Sequence, residues 1–271
     1  MMPSENESAH MIDLILLPKQ DRLEDVDLLA YPLLVHEMNH YLLLRYESFF
    51  IPFFMAALKG VAASMRLGAI SDRGSARIRA NSKVDDLLRF WTPRPDQKNW
   101  GHEIAVDVVS LWMTGPAYLA CFQDVVDTPD LNPYEITPTH PPYAVRAAAL
   151  INVAHEIGLK PYSSTLETFV EQWRDSQWTK KRDNRYLFLA RADLIEACTK
   201  TAIDFCKSVG IEPCTIRRIQ DLEASLHNFR ADDIGIDTLI YTWLKFEREK
   251  ESAYGSWESQ FTNDVTSRIM S

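Results

Sequence analysis

The sequence has 271 residues, of which 46% are hydrophobic and 11% aromatic, enough for one large domain or two small ones with a real core. Charged residues make up 25%, and 29 Lys and Arg against 38 Asp and Glu leave a net charge of -9, which excludes a general nucleic-acid binder. The most apolar stretch, 49–58, contains Pro52 and ends at Lys59, too short for a transmembrane segment.

Residues 1–10 are polar and acidic with no basic region or cleavage site, and read as a disordered start rather than a signal peptide. Met11 to Leu17 is a short apolar run, strand or helical turn. Asp21 to Ala30, with Leu23, Val26 and Leu29, predicts a short helix. A helix is expected over about 32–46, with an apolar continuation to about 67 that reads as a buried helix behind it or, as the alternative, an interfacial surface. The stretch 66–97 is basic, with a turn at Asp72-Arg73-Gly74 and a helical pattern over Val84–Trp91. It reads as a solvated connecting segment, or as a flap that meets an acidic substrate.

Asn99 to Val126 is a second long helical region, broken or kinked at Gly115-Pro116. The five prolines between 127 and 142 predict an extended loop, followed by helix over 143–157. Further helices are expected near 164–176, 185–208, 215–229, 236–251 and 256–269. Strand signals are confined to 11–17 and part of 66–82. The expected fold class is therefore mainly α, with a small β-sheet or none. It divides into a core over 11–158 and a helical C-terminal region over 159–271 packed on that core. Cys121, Cys198, Cys206 and Cys214 are scattered without a CxxC pair, and read as reduced thiols in a cytoplasmic protein.

The informative motif is His36-Glu37-Met38-Asn39-His40. On a helix, positions i and i+4 share a face, so His36 and His40 can address one metal ion, with Glu37 beside them to handle a proton. With 7 His and 17 Glu in the chain, HExxH arises by chance in roughly one shuffled sequence in a hundred. His102-Glu103 and His155-Glu156 begin the same motif but lack the second His.

Two His leave a zinc ion short of the three protein ligands that a catalytic site uses. Glu103 is the best third ligand, because Glu103 and Asp107 share a face of an apolar helix. Asp107 would then sit one turn away, able to accept the outer ring N–H of His36 or His40. His102 is the rival ligand, roughly 100° round the helix from Glu103 and the face it shares with Asp107. Candidates to stabilise a developing oxyanion are His140, Arg146, Tyr118 and Tyr143, with His140 on its proline-rich loop preferred. Arg146 has the alternative role of ion-pairing Asp107.

HExxH followed by a distant ExxxD, then by Thr139-His140-Pro141-Pro142-Tyr143-Ala144-Val145-Arg146, resembles the gluzincin metallopeptidases of the HtpX and CAAX-prenyl-endopeptidase type. The three elements occur in the family's order over residues 30–155; nothing in 160–271 matches. The resemblance implies a zincin fold, Zn2+ held by His36, His40 and Glu103, and Glu37 as general base. Many members of that family carry transmembrane helices, which this sequence lacks.

The expected function is that of a soluble zinc metallopeptidase acting on a peptide or protein substrate. The alternatives are a zincin scaffold with a binding or regulatory role, and a helical interaction protein without metal. In the zincin-scaffold alternative, the C-terminal helices offer the surface for a protein partner.

Overall fold

The computed structural model describes residues 31–70, 75–92, 99–128, 130–225, 236–249 and 254–261. Among them every regular element is helical and no strand occurs. The helices are α1 (Tyr31–Arg45), α2 (Glu47–Ile70), α3 (Ser75–Trp91), α4 (Trp100–Thr114), α5 (Pro116–Val126), α6 (Tyr143–Glu156) and α7 (Lys160–Asp175). They continue with α8 (Gln177–Lys181), α9 (Asn184–Leu189), α10 (Ala192–Val209), α11 (Ile216–Ala224) and α12 (Ile236–Arg248), and a last helical stretch covers 254–261.

The molecule is built round α4. An α-helix that is hydrophobic on all sides has to be buried on all sides, and in α4 every residue but His102 and Met113 is buried. Helices α1, α6 and α10 pack along it, with α3, α5 and α12 completing the surround. Its start is fixed by Asn99, whose side chain accepts from the His102 backbone N–H at 3.1 Å. Its end is fixed by Gly115, whose N–H returns to the Leu111 carbonyl at 2.8 Å. Gly115 has φ +56°, and a Cβ there would lie 2.4 Å from Cys214 Sγ. The 211–214 segment is stitched to α4 at the same place: Trp112 Nε1 donates to the Ile211 carbonyl and the Cys214 N–H to the Trp112 carbonyl.

Several expectations are corrected. The part of 66–82 considered for a sheet is helical where it is described, in α2 and α3. The solvated connecting segment is instead the packed helix α3, which sets Val84, Leu87, Phe90 and Trp91 into the core against α2, α4 and α9. The single helix expected over 185–208 is two, α9 and α10, separated at Ala190-Arg191. The break lets Trp91 Nε1 donate to the Leu189 carbonyl at 2.9 Å. The readings for 1–10, 11–17 and 21–30 lie outside the described residues.

Helices α1 and α2 meet at 88°, and no single described helix is long and apolar enough to cross a membrane. On α2, Phe50, Phe54 and Leu58 are buried whereas Phe53 is exposed. All four cysteines are buried and none forms a disulfide, and burial pushes the Cys206 and Cys214 thiols up to about 12. One hydrophobic cluster runs from Leu43 of α1 to Leu244 of α12, so α10 and α12 share the core that α1 and α4 build.

Gly115→Ala combines a positive φ with a collision against Cys214, and should lower stability by at least about 2 kcal/mol in urea unfolding. An unchanged unfolding midpoint would contradict this packing of the α4–α5 joint.

Candidate metal centre

Helix α1 presents the motif to α4. His36 and His40, one turn apart, are buried on the face that meets α4, while Met38 is exposed on the other side. The register between the two helices is set by a buried hydrogen bond from Asn39 Nδ2 to Ser110 Oγ at 2.9 Å, with Ser110 Oγ donating in turn to the Val106 carbonyl. Ligand atoms of His36, Glu37 and His40 all lie within 4.8 Å of one another.

Glu103 projects from α4 into this group and is fully buried. Its Oε2 is 3.5 Å from His36 Nε2, and its Oε1 is 3.6 Å from His40 Nε2 and 3.7 Å from His140 Nε2. Neither carboxylate oxygen has a hydrogen-bond partner. Burial alone would raise the Glu103 pKa; pairing with His36 and the positive potential of His40 and Arg146 outweigh it, and the carboxyl is lowered to about 2.

Asp107, one turn further along α4, is equally buried but fully engaged. Arg146 of α6 donates to it through Nε and Nη2, both at 2.7 Å. Tyr118 of α5 donates its hydroxyl at 2.5 Å. His36 Nδ1 lies 3.0 Å from Asp107 Oδ1 and 2.9 Å from the Tyr118 hydroxyl. The network places a His36 proton on Nδ1, so that Nε2 is the nitrogen turned to Glu103. Burial opposes ionisation of Asp107, but Arg146 and then His36 hold its carboxyl far below the usual range. The guanidinium also lies over the rings of Phe122, at 5.2 Å, and Tyr143, at 5.8 Å.

His36, His40, Glu103 and His140 are thus brought together, with Glu37 beside the two motif His and Asp107 and Arg146 behind His36. His102 instead stacks on the His40 ring, with centroids 5.0 Å apart and planes 9° from parallel. Tyr118 and Tyr143 lie with Asp107 and Arg146. Asn39 and Ser110 were not singled out by sequence reasoning. The position of Ser110 on the Glu103–Asp107 face of α4 is the signal that could have found them. The role of Tyr118 toward His36 depends on the α4–α5 turn and has no such signal.

No protein-family model, no curated protein and no solved structure matches this chain.

Removing Arg146 would leave Asp107 buried and unneutralised, so Arg146→Met should cost about 3–5 kcal/mol in chemical unfolding. Arg146→Lys, which keeps the charge but loses the two-pronged contact, should fall between. Equal stability of all three proteins would contradict the network. Glu103 ionises near 2 in the folded state against an ordinary 4.5. Its ionic contacts therefore contribute stability that is present above pH 4.5 and lost as pH falls toward 2. Acid unfolding of the metal-free protein should show this loss, and Glu103→Gln should flatten part of the slope; an identical slope in the variant would contradict it.

Proposed function

We propose that this protein is a zinc-dependent metallopeptidase in which His36, His40 and Glu103 hold the metal and Glu37 is the general base. The observation that carries this reading is the Glu103 carboxylate. It is buried and without a hydrogen-bond partner, and its two oxygens face the Nε2 atoms of the HExxH imidazoles at 3.5 and 3.6 Å. A buried carboxylate without hydrogen bonds is costly in the absence of a cation. Two neutral imidazoles and a carboxylate form a donor set suited to zinc in hydrolytic sites. His36 has its Nδ1 proton occupied by Asp107 and Tyr118, the arrangement that orients a ligating imidazole.

When bound, zinc supplies a Lewis acid that polarises a carbonyl and acidifies water. The remaining chemistry belongs to the chain. Glu37 is half-buried beside the two His and not stacked into the core, so its carboxylate is placed to take a proton from the attacking water and return it to the leaving amine. Asp107, Arg146 and Tyr118 fix the His36 ring and do not touch substrate. The likeness to gluzincins in the order of HExxH, ExxxD and His-Pro…Arg supports the same reading.

Glu37→Gln should retain about one zinc per chain while peptide hydrolysis falls by at least about a hundredfold, the usual scale of a lost general base. His36→Ala should lose the zinc itself. Metal analysis with a quenched-fluorescence peptide library checks both. Wild-type cleavage by the Glu37→Gln protein, or unchanged zinc in His36→Ala, would overturn the assignment.

A further inference from the structure

We propose that the cavity between α5 and α12 is a binding site for a small organic cation, one with an alkylammonium head. The cavity measures about 120 Å³. That is room for roughly four water molecules at about 30 Å³ each. It suits the head of a ligand rather than a drug-sized molecule, whose pockets run to several hundred Å³. None of the residues that line it belongs to the candidate metal centre, so the proposal stands independently of the zinc reading.

The cavity follows from two mismatched helix faces. Ala117, Ala120, Cys121 and Asp124 recur at the spacing of one face of α5, and Trp243, Phe246 and Glu247 at that of one face of α12. The α5 face is small at three of these positions, whereas the α12 face carries two large rings. Those rings are held from other sides. Trp243 packs edge-on against Tyr162 of α7, with centroids 5.5 Å apart and planes at 84°. Phe246 packs against Tyr254 at 5.2 Å and 86°. Anchored in this way, the rings do not settle onto the alanines and the space stays open. Pro32, in the first turn of α1, also lines it.

The charge on the lining has one sign. Asp124 and Glu247 are exposed, so they stand where the cavity opens to solvent, and among the described residues no Lys or Arg lines it. The cations beside Glu247 on α12 are engaged elsewhere. Lys245 pairs with Glu249 and lies 5.9 Å from the centre of the Trp257 ring, and Arg248 pairs with Glu223. Carboxylates at the mouth and aromatic rings in the wall both attract an alkylammonium ion, the first by charge and the second by the negative face of the ring. A neutral apolar ligand would draw nothing from the acids. A hard dication seeks oxygen ligands and would draw nothing from the alanines. An anion would be repelled.

The test uses the full-length protein labelled with fluorotryptophan, titrated with choline at constant ionic strength and followed by fluorine NMR. A parallel titration uses dimethylbutanol, in which a carbon replaces the charged nitrogen of choline. The Trp243 resonance is the one absent from Trp243→Phe. Choline should move that resonance saturably and bind roughly three- to thirtyfold more tightly than the alcohol. The double variant Asp124→Asn, Glu247→Gln changes two exposed side chains, so it should fold as wild type and lose most of this preference. Ala120→Leu, which fills the cavity, should remove the response to both compounds. A Trp243 resonance that choline does not move would overturn the proposal. So would equal affinity for choline and the alcohol, or an undiminished preference in the double variant.

Discussion

A carboxylate with no hydrogen bond, sealed inside a helical bundle, is the constraint on which the rest of the structure depends. Glu103 is placed on α4, which is buried at every position but His102 and Met113, and faces imidazole nitrogens at 3.5 and 3.6 Å. Desolvating such a charge costs several kcal/mol unless a cation answers it. In the metal-free protein His36 supplies part of that answer: burial lowers its affinity for a proton, Asp107 and Glu103 raise it, and the balance is upward. A divalent ion answers it more completely.

The two acids of α4 make the point by contrast. Glu103 and Asp107 share a helix face and a burial class, but Asp107 has its oxygens filled by Arg146, Tyr118 and His36. Asp107 is a strut; its charge is matched within the fold, and it turns His36 so that the other nitrogen faces forward. Glu103 has nothing comparable and remains the acid with capacity to bind. The scaffold serves this difference. Helix α6 brings Arg146 in from one side, the turn at Gly115 folds α5 back so that Tyr118 reaches Asp107, and Asn39 pins α1 to α4 through Ser110.

What the sequence made legible is what helical spacing controls. His36 with His40, and Glu103 with Asp107, each follow from a four-residue interval, and the proline-rich loop expected over 127–142 does lead into a helix at Tyr143. Two helices bearing complementary groups then had one plausible way to meet. Contacts set by angles between helices were not legible. Tyr118 is buried, and its hydroxyl reaches His36 only because of the α4–α5 turn. The basic character of 66–97 concealed the apolar face of α3, since Val84, Leu87, Phe90 and Trp91 are spaced for burial among charged neighbours. For α10 the apolar face was visible but its partner was not; it lies on α4, which places the C-terminal half of the chain against the helix that carries Glu103.

The most direct measurement is X-ray absorption at the zinc edge on protein loaded with one equivalent of zinc. The expected spectrum has nitrogen and oxygen donors alone, at about 2.0–2.2 Å, with the outer-shell scattering of at least two imidazoles. A sulfur shell at about 2.3 Å, which would move the metal to the buried cysteines, or a spectrum of hydrated zinc free in solution, would contradict a centre built on His36, His40 and Glu103.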